Sequence, residues 1–206
     1  MATLIALPSL WITYKMFQMI QNQHTYDPKK KEDMDNKQIP KSFEDIGGCD
    51  EAKDAIREII DYIRNPQPYK KMGVVMPKGV MLYGPPGTGK TLMAKAAATE
   101  AGIPMIYASG SEFVELYVGL GAKRIRELFK DARRTAEKLN TAVMIFIDEI
   151  DAVGFKRNSG QGYGFGNRET ETTLNQLLNE MDGFEENSRI VVVAATNLIQ
   201  NIDPAL

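Results

Sequence analysis

One octapeptide, residues 84–91 with the sequence GPPGTGKT, constrains the fold of this chain more than any other feature. It matches the spacing G-x-x-x-x-G-K-[ST] and lies between an apolar run that predicts a strand and an alanine-rich run that predicts a helix. Glycines let backbone N–H groups converge on phosphate oxygens, and the following helix directs its positive end toward the same anion. The octapeptide therefore predicts a phosphate-binding P-loop.

The side chains of this loop indicate a nucleotide with a magnesium ion. Lys90 can reach the β- and γ-phosphates, and the Thr91 hydroxyl can ligate Mg²⁺. ATP and Mg²⁺ are therefore the expected ligands. The predicted nucleotide contacts from the loop and the start of the helix are Pro86, Gly87, Thr88, Gly89, Lys90, Thr91 and Leu92.

Two polar signals follow later apolar strands. The run 143–147 ends in Asp148 and Glu149. A carboxylate at the carboxyl end of a parallel strand beside the P-loop strand can hold Mg²⁺, which is the role predicted for Asp148, and Glu149 could polarise the attacking water. Asn197 follows the run 190–195 and could hydrogen-bond the γ-phosphate and that water. Alternatives are a helix-capping pair for the carboxylates and a turn residue for Asn197. The candidate catalytic residues are Glu149, Asn197 and Lys90.

The hydrophobic pattern predicts an α/β fold. Apolar runs alternate with stripes of helical spacing, which argues for a parallel sheet covered on both faces by helices. In the first helix Asp50 is the predicted N-cap, Asn65 and Pro66 are the predicted stop, and one apolar face holds Ala52, Ile56, Ile59, Ile60 and Ile63. The predicted strands are 79–83, 104–107, 143–147 and 190–195, and further helical stripes cover 90–101, 122–136 and 174–181.

Composition restricts the chemistry of the chain. The formal net charge of -2 over 206 residues gives no support to a nucleic-acid partner. Cys49 is the single cysteine, so an intrachain disulfide and a four-cysteine metal site are both excluded. His24 is the single histidine, which excludes a two-histidine zinc site, and zinc is not expected in this chain.

The N-terminal residues differ from the rest. Residues 1–20 are strongly apolar but carry Pro8 and Lys15, and three interpretations stay open: part of a transmembrane helix, an interfacial helix, or an apolar terminus packed on the domain. Residues 21–41 are polar and charged, which is typical of a solvated linker. Residues 42–206 then form the predicted globular part.

Several segments together resemble the AAA ATPase module. They are GPPGTGKT, IFIDEIDAVG at 145–154, NQLLNEMDGF at 175–184 and VVAATN at 192–197. The segments FEDIGGCDEAK at 43–53 and SGSEFVELYVGLGAKRIRELF at 109–129 resemble, more narrowly, the FtsH-type membrane-bound ATP-dependent zinc metalloproteases. The resemblance covers residues 41–206 and implies the P-loop NTPase fold of the AAA large subdomain, without its last strand, its helical lid or the protease domain.

The resemblance also implies roles for individual residues. Ile46 and Gly47 would border the adenine. Tyr117, Val118 and Gly119 would form the central-pore loop that grips an unfolded polypeptide, although Phe113, Leu116, Tyr117 and Leu120 have the spacing of a helical core stripe. The run 160–166 would be a second pore loop or a plain flexible loop. Residues 182–184 would sense the neighbouring subunit's nucleotide, and the same residues could form a helix C-terminal turn with Gly183 in the left-handed conformation.

The function implied is Mg²⁺-dependent ATP hydrolysis that powers protein unfolding and translocation in a membrane-tethered AAA protease. Its partners would be related AAA subunits in a homo- or hetero-hexamer and an unfolded polypeptide substrate. The location would be the mitochondrial inner membrane in a eukaryote and the plasma membrane in a bacterium. Because the family's arginine-containing segment would follow residue 206, slow hydrolysis by the chain alone is expected. Two alternatives stay open: a truncated or degenerate nucleotide-binding subunit with little hydrolysis, and a module of a soluble AAA unfoldase.

Overall fold

The computed structural model describes residues 42–73, 79–115, 119–154, 165–183 and 189–206. The apolar segment 1–20, the linker 21–41, Tyr117, Val118, residues 160–164 and Phe184 lie outside the described residues. The helices are α1 Asp50–Arg64, α2 Pro66–Lys71, α3 Lys90–Ala101, α4 Leu120–Leu139 and α5 Phe165–Asp182. The strands are β1 Gly79–Tyr83, β2 Met105–Ser109, β3 Val143–Asp148 and β4 Ile190–Thr196. Short 3₁₀ helices cover Phe43–Asp45, Gly110–Phe113, Ile150–Ala152 and Ile199–Asn201.

The strands form a parallel sheet in the order β1-β4-β3-β2. The register aligns the carboxyl ends of the strands, because Tyr83 pairs with Thr196 and Ser109 pairs with Asp148. The central strands β3 and β4 are apolar over nearly their whole length and almost entirely buried. The parallel α/β architecture predicted from the sequence is therefore confirmed.

Helices cover both faces of this sheet. Alternate residues of β3 point to opposite faces, so Ile145 and Ile147 pack with α4 and α5, whereas Met144 and Phe146 pack with α1 and α3. The largest fully buried side chains include Phe113, Phe129 and Phe146. Two apolar cores, one on each side, thus fix the sheet in place.

Helix α1 differs from the prediction at its N-terminus. Cys49, with a φ of 57°, is the N-cap, and Asp50 is the first helical residue. Its carboxylate still lies in the first turn, where the helix dipole favours negative charge. Ala52 is exposed instead of buried. The neighbouring Lys53 is buried, because its ammonium donates a hydrogen bond to the Ile46 carbonyl at 2.5 Å and its stem covers apolar surface.

The other boundaries of these elements lie close to the predictions. Helix α1 ends at Arg64 with Asn65 as its C-cap, as predicted. Strand β2 begins and ends slightly later than predicted, at Met105 and Ser109. Within the residues that the structure describes, no helix has both the length and the apolar character needed to cross a bilayer.

A buried carboxylate joins the N-terminus of α4 to helix α5. Glu169 of α5 is 2% exposed and accepts hydrogen bonds from the Gly119 N–H at 2.7 Å and the Gly121 N–H at 3.1 Å. The Thr173 hydroxyl donates to the same carboxylate at 3.4 Å. A Cβ at Gly121 would lie 2.1 Å from the Phe113 carbonyl oxygen, so this close approach requires glycine. Glu169 thus caps a helix whose own N-cap, Gly119, has no side chain to do so.

We expect Glu169→Ala to lower the free energy of unfolding by about 2–4 kcal/mol, because two buried N–H groups lose a charged acceptor. Glu169→Gln should lower the free energy of unfolding by roughly half as much, since its amide oxygen can still accept a hydrogen bond from one of the two N–H groups. The measurement is urea unfolding followed by circular dichroism. Glu58→Ala, which removes an exposed carboxylate on α1, is the matched control and should change stability by less than about 0.5 kcal/mol. Equal losses in both alanine variants would contradict the capping role.

Candidate functional site

A cleft of about 470 Å³ opens at the carboxyl edge of the sheet. This is the place where open parallel α/β sheets bind their ligands, outside the carboxyl ends of the strands. Its lining comes from the loop after β1, the start of α3 and the residues after β3 and β4. The lining residues are Pro86, Gly87, Gly89, Lys90, Thr91, Leu92, Lys95, Asp148, Glu149 and Asn197.

The loop after β1 has the backbone that a phosphate cradle needs. Gly87 and Gly89 have φ values of 77° and 83°, which residues other than glycine rarely adopt. A Cβ at Gly87 would meet nothing within 4 Å, so the loop is open on this side. The Thr88 hydroxyl donates to the Pro85 carbonyl at 2.9 Å and braces the turn from within. Helix α3 begins directly after Gly89, so its unpaired N–H groups lie next to the cleft.

Lys90 links the P-loop to the end of β4. Its ammonium donates to the Gly84 and Pro85 carbonyls, both at 2.9 Å, and to Asn197 Oδ1 at 2.7 Å. An ammonium has three N–H donors, and each has an oxygen partner here. The Lys90 charge is therefore held at the mouth of the loop, between the backbone that would cradle a phosphate and the Asn197 amide.

Thr91 and Asp148 also meet across the cleft. The Thr91 hydroxyl donates to Asp148 Oδ2 at 2.7 Å, and the Glu149 N–H donates to Asp148 Oδ1 at 3.0 Å. A hydroxyl oxygen beside a carboxylate oxygen is a donor set that suits Mg²⁺, which typically takes one or two protein carboxylates together with substrate phosphates and water. The described residues contain no group of three or more His, Cys, Asp or Glu side chains that could hold a metal by themselves. These residues therefore fit a phosphate-bound Mg²⁺ and not a metal enclosed by protein ligands.

Glu149 occupies a constrained backbone position beside Asp148. Its φ of 51° and ψ of 46° are left-handed, and its side chain is exposed toward the cleft that it lines. Gly110, after β2, packs directly on its backbone: a Cβ there would lie 2.2 Å from the Glu149 carbonyl oxygen. Such strained positions persist only where the surrounding structure over-determines them. No motif or periodicity in the sequence predicts this contact between Gly110 and Glu149.

The structure brings most of the predicted nucleotide contacts into one cleft, with three exceptions. Thr88 braces the loop and does not line the cleft. Ile46 and Gly47 do not line it either: Ile46 is packed in the core beside α3, and Gly47 is exposed. Lys95, absent from the predicted set, lines the cleft. The signal that could have found it is its spacing, since it lies one helical turn after Thr91.

The predicted substrate loop is only partly within the described residues. Gly119 is described and forms the N-cap of α4, whereas Tyr117 and Val118 fall outside the described residues. The residues on either side are held by neighbouring elements. Glu115 pairs with Arg124 at 2.5 Å, and the side chains are 16% and 18% exposed. Arg124 also donates to the Glu112 carbonyl.

The chain is similar to known proteins over most of its length. A protein from Symbiobacterium thermophilum named ATP-dependent zinc metalloprotease FtsH 3 is 54% identical over 165 residues, which is 80% of this chain and 25% of that protein. The FtsH proteins of Metamycoplasma arthritidis and Mycoplasma mobile are 52% and 56% identical over 84% and 80% of this chain. The chain spans only about a quarter of the length of these relatives.

The family described as "ATPase family associated with various cellular activities (AAA)" matches residues 80–206. This match begins at β1 and includes the P-loop, the carboxylate pair after β3 and Asn197 after β4. It covers more than half of the chain and the whole of the cleft described above. The chain therefore belongs to the AAA family of ATPases.

Proposed function

We propose that this chain binds ATP with Mg²⁺ and hydrolyses it to unfold and translocate protein substrates, as the ATPase part of a membrane-tethered AAA protease. The observation that carries the nucleotide chemistry is the convergence of Lys90, Thr91, Asp148, Glu149 and Asn197 from three strand ends into one cleft. The protease context comes from the relatives, each of which is named an ATP-dependent zinc metalloprotease.

Each residue of the cleft has a distinct role in this proposal. The P-loop backbone and Lys90 bind the phosphates, so Lys90 exchanges some of its present oxygen partners for phosphate oxygens. Thr91 and Asp148 hold Mg²⁺, which when bound neutralises charge on the phosphate oxygens. Glu149 takes the proton of the attacking water as the water oxygen bonds to the γ-phosphorus and the bond to the leaving ADP oxygen breaks. Asn197 orients that water and the γ-phosphate.

The polypeptide substrate is assigned to the segment that contains Tyr117, Val118 and Gly119. Support comes from the anchoring of the residues on either side of it. The Glu115–Arg124 ion pair fixes the chain before this segment to α4, and the Gly119–Glu169 hydrogen bond fixes the chain after it to α5. A segment that is anchored at both ends can transmit force to a bound polypeptide, and an aromatic ring suits contact with many sequences.

The wider assembly is also part of the proposal. Residues 42–206 form the large subdomain of an AAA module that works in a homo- or hetero-hexamer of related subunits. Residues 1–20 attach it to a membrane, the inner mitochondrial membrane in a eukaryote or the plasma membrane in a bacterium. Ile46 and Gly47 border the adenine after nucleotide binding. The Lys53 ammonium, which holds the Ile46 carbonyl at 2.5 Å, supports a fixed backbone at this position.

We expect Glu149→Gln to bind Mg·ATP within about twofold of the unsubstituted chain but to hydrolyse it at least about 100-fold more slowly, because the amide cannot take up the water proton. Binding is measured by calorimetry and hydrolysis by single-turnover phosphate release. Glu137→Gln, an exposed carboxylate at the far end of α4, serves as the matched control. Undiminished hydrolysis in Glu149→Gln would contradict the assignment of Glu149 as the base.

We expect Tyr117→Ala to leave ATP hydrolysis unchanged and to block the unfolding of a folded protein substrate in the hexameric assembly, since the contact that pulls on the chain is lost. Tyr117→Phe keeps the ring and should retain most unfolding activity. The measurement is loss of fluorescence from a tagged fluorescent protein, with ATP hydrolysis followed in parallel. Normal unfolding by Tyr117→Ala would show that another segment grips the substrate.

A further inference from the structure

Asn197 lies on a turn whose position depends on the residue before it. Thr196 is the last residue of β4 and is 1% exposed. Its hydroxyl donates to Asp151 Oδ1 at 2.8 Å and accepts a hydrogen bond from the Leu198 N–H at 3.0 Å. The same hydroxyl thus holds both Asp151 and the backbone on the far side of Asn197.

Asp151 belongs to the segment that carries Glu149. It lies on the 3₁₀ helix Ile150–Ala152, which begins immediately after Glu149. The Ala152 N–H donates to the Glu149 carbonyl at 3.0 Å and closes this turn. The Asp151 carboxylate therefore connects the turn that carries the candidate base with the turn that carries Asn197.

We propose that Asp151 is a positioning residue for ATP hydrolysis: through the Thr196 hydroxyl it holds the Asn197 amide in register with Glu149 and Lys90. The inference rests on the proposed roles of Glu149 and Asn197. The bond to Thr196 is partly buried, so water competes for it less than it would at an exposed position. Asn197 Oδ1 in turn accepts from Lys90 at 2.7 Å, which completes a path from the carboxylate to the phosphate-binding ammonium.

The bond contributes to the geometry of the turn more than to holding β4 in the sheet. Strand β4 is already paired with β1 up to Thr196 and with β3 up to Ala194. A second link between the two segments, from the Asp203 N–H to the Gly154 carbonyl at 2.7 Å, also remains when the Asp151 side chain is removed. Removal of the Asp151 carboxylate should therefore misplace Asn197 without unfolding the domain.

The test is single-turnover hydrolysis by the full 206-residue chain, with Mg·ATP affinity measured on the same samples. We expect Asp151→Ala and Thr196→Val each to slow hydrolysis at least tenfold, with the dissociation constant for Mg·ATP within about twofold. Asp151→Asn keeps an oxygen acceptor and Thr196→Ser keeps the hydroxyl, so both should remain within about threefold of the unsubstituted rate. The double variant Asp151→Ala/Thr196→Val should be no slower than Thr196→Val alone, because the bond that Asp151→Ala removes is already absent in Thr196→Val.

Asp54→Ala, which removes an exposed carboxylate on α1, is the matched control and should hydrolyse ATP normally. Three results would overturn the inference. The first is a normal hydrolysis rate in Asp151→Ala, and the second is a double variant in which the two losses of rate add. The third is a loss of rate in Asp151→Asn as large as in Asp151→Ala, because the charge would then matter and not the oxygen acceptor. If Asp151→Ala does not fold, the isosteric Thr196→Val and its Thr196→Ser partner decide the question by the same criteria.

Two further variants separate this inference from the proposed function. Glu149→Gln and Asn197→Ala are assayed beside the others. Full hydrolysis in both would refute the proposed roles of Glu149 and Asn197, and with them the inference that rests on those roles. Slow hydrolysis in both, together with a normal rate in Asp151→Ala, would overturn only the positioning role of Asp151.

Discussion

Strands β3 and β4 lie buried between two layers of helices, and this burial sets the register of the whole sheet. Both strands are almost entirely buried, so their side chains are specified on both faces of the sheet. A slip of β4 by one residue would exchange its two faces and move Asn197 by about 3.3 Å. That displacement exceeds the tolerance of the 2.7 Å hydrogen bond between Lys90 and Asn197. Core packing therefore sets the distances within the cleft.

Local contacts then refine the position that the sheet sets. Gly110 permits the close approach that leaves Glu149 in its left-handed conformation. The Thr91–Asp148 hydrogen bond brings the two candidate magnesium ligands together. These contacts hold side chains of the cleft in place, which lowers the free-energy cost of ordering them around a ligand.

The sequence predicted the parts of this site that depend on local spacing. The P-loop, Asp148 and Asn197 each follow an apolar strand, and parallel strands necessarily bring such residues to one edge. It could not predict contacts that depend on tertiary approach, such as the hydrogen bond between Asp151 and Thr196 or the capping of α4 by Glu169. These residues are distant in the sequence and carry no periodic pattern. The error at Ala52 has a similar cause, because helical spacing alone does not show that Lys53 reaches the Ile46 carbonyl.

We infer that this edge of the sheet is one Mg·ATP site. Titration calorimetry of the 206-residue chain with Mg·ATP tests it most directly, with Lys90→Ala as the variant and Lys138→Ala, an exposed lysine at the end of α4, as the control. We expect one ATP to bind per chain. The affinity should be at least tenfold weaker in Lys90→Ala, a loss of about 1.4 kcal/mol or more in binding free energy, and unchanged in Lys138→Ala. Absence of binding, or equal affinity in Lys90→Ala and the unsubstituted chain, would contradict it.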